Sequence, residues 1–383
     1  MIIGITQEKN IRNEQARIVD LLSRGKVDYF HIRKPDFSLE EMRNYLSYFS
    51  VEIRERLSLH SFHELSMEMN IGGVHLNKSN PTLSPNITGK RVSASCHSVE
   101  EFIAREKECD YCFLSPIYDS ISKKGYQSAF TKEELKNLFA RNVLNSKCVA
   151  LGGVTREKFE ELRNIGFSSF AVLSDIWAWD KTMFITHQNE KYSYLESGLL
   201  ALKGEIRFIQ LRMKDASDAE VLEVAKVLRQ ECDKVGAILT IDDRVHLLDT
   251  GLFDGVHIGK NDMPLSQARK IVPKDMILGS TTNTLEDVLT ALGGGSDYIG
   301  LGPFRFTTTK KNLSTILGLE GYQKITQALE SRDLSIPIYA IGGIRVDDLK
   351  DLKATNIYGV ALSSVILESE EPLQTMREIK EIF

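Results

Sequence analysis

Short peptide fragments occur twice in this chain, in the same order, about half a chain apart. His31-Ile32-Arg33-Lys34 answers Gln210-Leu211-Arg212-Met213, and Gly73-Val74-His75-Leu76 answers Gly255-Val256-His257-Ile258. Ser115-Pro116-Ile117-Tyr118 with Lys123-Lys124 answers Gly302-Pro303-Phe304-Arg305 with Lys310-Lys311. Ala150-Leu151-Gly152-Gly153-Val154 answers Ala340-Ile341-Gly342-Gly343-Ile344. A duplicated unit has to bury a core of its own in each copy, and 383 residues suffice for two. The copies differ at polar positions, which is where their chemistry has to be compared.

Each copy alternates short apolar runs with amphipathic stretches. In the second copy the runs are Met183 to Thr186, Arg207 to Leu211, Ala237 to Ile241, Gly255 to Ile258, Met276 to Gly279, Tyr298 to Leu301, Ile336 to Ile341 and Gly359 to Leu362. They are apolar on both faces, as buried parallel strands are. Between them lie helical patterns such as Asp218 to Cys232 and Leu285 to Leu292. The first copy reads the same way, from Ile2 to Thr6 through Phe170 to Leu173. Eight such units predict an α/β fold of two tandem (β/α)8 TIM barrels, 1–180 and 181–383. The alternative is an open doubly wound sheet; the glycine-rich and polar segments that follow strand after strand favour the barrel. Only Asp175 to Asp180 remains for the first copy's last helix. That helix is therefore very short, or the stretch packs on the other barrel. Trp177 and Trp179, the two tryptophans, are expected to fill an interface on which the barrels pack.

The balance of charge, −5 net, excludes a sequence-independent grip on nucleic acid, and no apolar run approaches a membrane span. Any anionic ligand must be held by a local cluster of donors. Cys109 and Cys112 form a C-x-x-C, but no second pair completes a zinc site and Cys112 opens an apolar strand. Five cysteines, an odd number, fit a reducing cytoplasm.

The chemistry gathers in the second copy. Gln210, Arg212 and Lys214 alternate along a strand and so share one face. Asp243 and Asp262 follow two further strands. Magnesium takes hard oxygen ligands, commonly one or two carboxylates plus substrate phosphates, so the two aspartates are metal candidates; loop capping is the plain alternative. The segment Gly302 to Lys311 puts Thr307, Thr308, Thr309, Lys310 and Lys311 after a strand, a cradle for an anion. Gly342-Gly343 and Ser363-Ser364 end the last two strands, where barrels commonly build a phosphate site.

Taken in order, Q-x-R-x-K, D-D-R, G-V-H-I-G-x-x-D, G-L-G-P-x-x-x-T-x-T-K-K, I-G-G-I and S-S resemble the thiamine-phosphate synthases, from Met183 to Phe383. The resemblance implies a Mg2+-dependent transferase of thiamine biosynthesis. Such an enzyme joins 4-amino-2-methyl-5-pyrimidinylmethyl diphosphate to a thiazole phosphate and releases diphosphate. It implies that Asp243 and Asp262 hold Mg2+, and that Gln210, Lys214 and Lys310 contact the diphosphate with Arg212 in support. It implies a thiazole phosphate held by Thr307, Thr309, Gly343, Ser363 and Ser364. Asp242 stands where the family usually has asparagine, and is expected either to pair with Arg244 or to help bind metal. Thr281 stands for a common serine and keeps its hydroxyl, and the resemblance implies that Thr281 and Asp242 lie among the substrate-binding residues. His246 and His257 read as structural.

In the first copy the metal positions fall on Ser61 and Asn80, Gln210 becomes His31, and Lys214 falls on Pro35. Gly152-Gly153, Ser174 and Lys123-Lys124 persist. This pattern is similar to the TenI-type thiazole tautomerases, whose His-Ile-Arg motif matches His31-Ile32-Arg33; their catalytic histidine corresponds to about Ser115. His31, His60, His63 and the Cys96-His97 pair are candidates for proton transfer. The first barrel has two readings, ligand binding with proton-shift chemistry or a structural role. For the whole chain the competing class is a non-catalytic binder of thiamine precursors. A sugar-phosphate epimerase would need a facing acid/base pair, which the sequence does not offer.

Overall fold

A computed structural model of the chain describes residues 1–9, 11–119, 128, 130–260, 262–306 and 316–383. The chain divides into two units, Met1–Ala178 and Trp179–Phe383. Each is a closed barrel of eight parallel strands in sequence order, so the open sheet is excluded.

The first barrel consists of β1 (Ile2–Ile5), β2 (Tyr29–Ile32), β3 (Leu57–Leu59), β4 (Gly73–Leu76), β5 (Arg91–Cys96), β6 (Tyr111–Leu114), β7 (Cys148–Ala150) and β8 (Ser169–Val172). The second consists of β9 (Thr182–Ile185), β10 (Phe208–Leu211), β11 (Ile238–Asp242), β12 (Gly255–Ile258), β13 (Ile277–Thr282), β14 (Tyr298–Leu301), β15 (Ile338–Ala340) and β16 (Gly359–Leu362). β1 closes on β8 and β9 on β16. Helix starts are written into the sequence as reciprocal caps. Ser217 accepts from the Glu220 amide while Glu220 accepts from the Ser217 amide, opening the helix Asp218–Val235, and Gly236 ends it in the left-handed conformation.

Each barrel has two apolar layers. An inner plug in the second is built by Met183, Phe208, Tyr298, Tyr339 and Ala361, and a larger shell lies between strands and helices. Most strands thus carry apolar side chains toward the helices, while the inner face mixes apolar residues with polar ones such as Ser58, Ser93 and Thr240.

The first unit ends in a four-residue helix, Ser174–Trp177, whereas the second continues past Ser364–Leu367 into the helix Pro372–Ile382. The short-helix alternative therefore describes the first unit. Trp177 is buried in it, edge-on to Phe30 at 5.7 Å, and donates its ring N–H to the Ile5 carbonyl at 2.7 Å. Trp179 sits before β9 in the second unit, packed edge-on to Phe208 and Tyr298. All five cysteines are buried and unpaired, and none forms a disulfide. Among the described residues no helix is long and apolar enough to cross a membrane.

Candidate active site

The polar side chains singled out in the second barrel stand at the carboxyl ends of its strands, the end at which barrels of this kind carry their sites. β10 delivers Gln210, and Arg212 and Lys214 follow it on the same side. All three reach toward the aspartate pair that ends β11. Gln210 Nε2 donates to Asp242 Oδ1 at 2.6 Å, Arg212 Nε lies 3.1 Å from Asp242 Oδ2, and Lys214 Nζ lies 3.6 Å from Asp243 Oδ2.

Asp242 is buried. Burial first, and the neighbouring Asp243 second, push its carboxyl up to about 7, against the pull of Arg212, Lys214 and Gln210. Its partners are Gln210 and Arg212. The expected alternative, Arg244, is turned elsewhere: its guanidinium pairs with Asp218 and donates to the Met213 and Ala216 carbonyls. Arg244 is spent on fixing the loop after β10 to the helix that follows, so it cannot neutralise Asp242.

Asp243 takes a left-handed backbone conformation, φ +64°, which an aspartate tolerates better than most residues. Its amide donates to the His257 carbonyl at 2.8 Å, and its Oδ1 accepts the Gly259 amide at 3.0 Å. That turn swings the Asp243 carboxylate beside Asp262. The two carboxyl groups lie close enough for each to shift the ionisation of the other. Burial, and then the Asp243 carboxylate, raise Asp262; burial also opposes ionisation of Asp243, but Asp262, the Gly259 amide and Lys214 outweigh it and hold Asp243 low. Gly259 makes the approach possible. A Cβ there would stand 2.3 Å from Asp262 Oδ2 and 3.3 Å from Asp243 Oδ1. Two carboxylates forced together over a bare backbone, with hard oxygen donors only, are a donor set that fits Mg2+. Gly259 belongs to the G-V-H-I-G-x-x-D motif, but the need for a missing side chain there emerges only once the two carboxylates are seen to converge.

Thr281 and His257 are bound to one another. His257 Nε2 is 2.9 Å from the Thr281 hydroxyl, and its Nδ1 is 3.0 Å from Tyr298 Oη. His246 lies outside this group, 2.7 Å from Asp218.

The other end of the cleft is formed by the loops after β15 and β16. Gly342 and Gly343 both have positive φ, +87° and +68°. A Cβ on Gly342 would meet Pro303 at 2.8 Å, and one on Gly343 would meet the Phe306 carbonyl at the same distance. The pair is therefore glycine because the β14 loop lies against it as well as for the freedom it gives the backbone. Ser363 caps the short helix Ser364–Leu367, and its hydroxyl is buried with no hydrogen-bond partner among the described residues. An orphaned hydroxyl beside two left-handed glycines and the Ser364 helix start suits a phosphate oxygen. Thr307, Thr309 and Lys310 lie outside the described residues, as do Lys123 and Lys124 in the first barrel.

In the first barrel, strand register places His31 on the Gln210 position and, two residues beyond Ser58 and Thr240, His60 on the Asp242 position. His31 Nδ1 lies 2.9 Å from His60 Nε2, repeating the Gln210–Asp242 contact with two imidazoles. His75, the counterpart of His257, stacks on His60 with ring centroids 4.1 Å apart. His75 was legible as a repeat of His257 but not as a partner of His31 and His60. The other candidates are tied to backbone: His63 Nε2 to the His75 carbonyl at 3.1 Å, and His97 Nδ1 to the Ser115 carbonyl at 3.1 Å. Asn80, in place of Asp262, donates to the His60 carbonyl at 3.0 Å.

Known proteins resemble this chain in the same way. The thiamine-phosphate synthase of Bacteroides thetaiotaomicron is 48% identical over 196 residues, 51% of this chain and 94% of that protein. That of Bacteroides fragilis is 49% identical over 199 residues, 52% of this chain and 98% of that protein. The solved structure of a thiamine phosphate pyrophosphorylase from Pyrococcus furiosus is 33% identical, covers 53% of this chain and 94% of its own, and has a TM-score of 0.47. The profile described as thiamine monophosphate synthase matches residues 2–176 and again 182–366. With both halves matched almost end to end, the chain belongs to the thiamine monophosphate synthase family.

Proposed function

We propose that the second barrel is the thiamine-phosphate synthase of this chain. It condenses 4-amino-2-methyl-5-pyrimidinylmethyl diphosphate with thiazole phosphate to thiamine phosphate and diphosphate. The observation that carries this reading is the convergence of Asp243 and Asp262 over Gly259 with Lys214 3.6 Å from Asp243. Asp243 and Asp262 would hold Mg2+, which supplies charge neutralisation to the departing diphosphate. Lys214 lies beside that position and adds a second cation where the diphosphate develops charge. Lys310 is assigned the same task from the sequence. Arg212 and Gln210 lock Asp242, and through it the rim of the diphosphate pocket. Ser363, Ser364 and Gly343 hold the thiazole phosphate at the far end of the cleft, with Thr307 and Thr309 assigned there from the sequence.

In the reaction the bond from the pyrimidine methylene carbon to the diphosphate oxygen breaks, the oxygen keeping the electron pair. The thiazole nitrogen then forms its bond to that carbon. No proton moves, so the site needs no nucleophile or general base, and His257 is free to be a structural residue. What the barrel has to do is bring the reactants together and keep water out. The first barrel, without Asp243, Asp262 and Lys214, is assigned a binding or proton-shift role toward thiazole phosphate.

The test is diphosphate release from purified substrates by the full chain. Asp243→Asn, which tolerates the left-handed backbone and keeps an acceptor for Gly259, and Lys310→Ala are each expected to lower turnover by about a hundredfold or more with the fold retained. Near-normal turnover in either variant overturns the assignment.

A further inference from the structure

We propose that the first barrel binds one zinc ion through His31, His60 and His75. One ring nitrogen from each lies within 4.8 Å of the others. The set contains no carboxylate, and imidazole nitrogens favour zinc and its neighbours over magnesium. The site is separate from the aspartate pair of the second barrel.

The surroundings prepare these rings as ligands. The Ser93 hydroxyl donates to the Val74 carbonyl at 3.2 Å, so its oxygen is left to accept from His75 Nδ1, 2.9 Å away. That fixes the His75 proton on Nδ1 and turns a lone pair outward on Nε2, where Ser95 Oγ lies at 2.8 Å. His31 Nε2 lies 2.8 Å from Tyr111 Oη, which orients the ring and directs Nδ1 toward His60 Nε2 at 2.9 Å. Such outer hydrogen bonds are the usual means of fixing the tautomer of a ligating histidine. His31 and His75 are fully buried and His60 half-buried, so the three rings meet inside the barrel end, away from bulk water. Arg33, the nearby cation on the same rim, is paired with Glu8.

A second observation points to the same spot. The Ser61 hydroxyl, next to His60 and on the position of Asp243, is buried with no hydrogen-bond partner among the described residues. A water or anion in the fourth position of a three-histidine zinc would give it one. Binding requires rearrangement: Ser95 Oγ must leave His75 Nε2 and the His31–His60 hydrogen bond must open. His60 lies nearly parallel to His75, at 22°, so it must tilt out of that stack for its lone pair to converge with the other two. His60 is the least buried of the three.

The test uses the full chain, stripped with a chelator and reloaded with Zn2+ or Co2+ alone. About one equivalent per chain is expected, and Co2+ is expected to give the visible absorption of a four-coordinate nitrogen site. His60→Ala should lose the band, Tyr111→Phe should weaken Zn2+ binding about tenfold or more, and Asp243→Ala should leave both unchanged. Less than about 0.1 equivalent with no visible band, a band that survives His60→Ala, or one that vanishes with Asp243→Ala overturns the proposal. The wild-type titration decides even if a variant fails to fold.

Discussion

Gly259→Ala is the most direct probe of the aspartate pair, because it alters neither carboxylate chemically. The new Cβ would stand 2.3 Å from Asp262 Oδ2, whereas carbon and oxygen in ordinary contact sit roughly 1 Å farther apart. Asp262 is exposed and its side-chain end is free to retreat, and the Gly259 φ lies outside the left-handed range, so an alanine backbone is not strained there. The fold should therefore tolerate the change, with a melting temperature within about 2 °C of the parent. The cation should not. Magnesium accepts oxygen ligands at 2.0–2.1 Å in near-ideal octahedral geometry, and a carboxylate pushed back by about 1 Å ceases to be a ligand. Loss of that support corresponds to about 10–100-fold in affinity, or ~1.4–2.7 kcal/mol. The assay is diphosphate release titrated with MgCl2 at saturating substrates. The half-saturating Mg2+ concentration should rise by that factor, with most of the turnover recovered at high Mg2+. An unchanged Mg2+ titration in a folded variant would falsify the pairing of Asp243 with Asp262 around one cation.

Three further outcomes follow from the same geometry. Ser363→Ala removes the orphaned hydroxyl and should raise KM for thiazole phosphate about five- to tenfold with kcat little changed; a fall in kcat alone contradicts a phosphate role. Asp242→Asn removes the charge that occupies Arg212 at 3.1 Å, and should lower KM for the pyrimidine diphosphate by about fivefold as the guanidinium becomes available; a rise in KM shows that the carboxylate is needed. In the first barrel, Lys34→Met strands Glu14, which is fully buried with Lys34 2.7 Å away and Tyr45 Oη at 2.6 Å. Burial already raises Glu14, and the variant relieves it by keeping the carboxyl protonated. Relative to the parent, whose Glu14 is itself raised, the added cost at pH 7 is at most about 3 kcal/mol from an ordinary value near 4.5, and it should shrink as pH falls toward 4.5. Denaturant unfolding followed by Trp177 fluorescence in a Trp179→Phe background isolates this barrel; a loss under about 1 kcal/mol, or a deficit that grows on acidification, rejects the buried pair.

What was legible in the sequence divides along physical lines. Strand positions were, because a parallel strand buried on both faces is mostly apolar, interrupted at a few inward positions such as Ser58, His75 and Gln210, and all sixteen runs became strands. The grouping of Gln210, Arg212 and Lys214 was also legible, since alternation along a strand fixes direction without tertiary information. The partner of Asp242 was not. Choosing between Arg212 and Arg244 depends on Arg244 being claimed by Asp218 and two carbonyls, contacts set by how the loop after β10 packs on the following helix. The glycine pair carried two demands that one sequence cannot separate, backbone freedom and the close approach of Pro303 and Phe306. His75 was read as the echo of His257; its convergence with His31 and His60 comes from β2, β3 and β4 curling into a barrel, which brings three strand ends to one rim.

The divergence of the copies follows from which positions changed and which did not. β12 and β4 keep the histidine, β14 and β6 keep the tyrosine, and each histidine keeps a hydroxyl on Nε2, Thr281 in one barrel and Ser95 in the other. The floor of the pocket is only partly shared: Tyr298 bonds His257, whereas Tyr111 bonds His31 and Ser93 takes His75 Nδ1. The rim is not shared: Asp242, Asp243 and Asp262 are replaced by His60, Ser61 and Asn80, which exchanges a rim of carboxylates for neutral imidazoles and amides. A hard cation has nothing to bind on the second kind of rim, and a departing diphosphate has no cation to leave with. On the proposed reading, the condensation cannot run in the first barrel by the mechanism of the second, however closely the scaffolds agree. Histidine substitution at Gln210 and Asp242 together should then abolish diphosphate release, and retained turnover would contradict the role given to that rim.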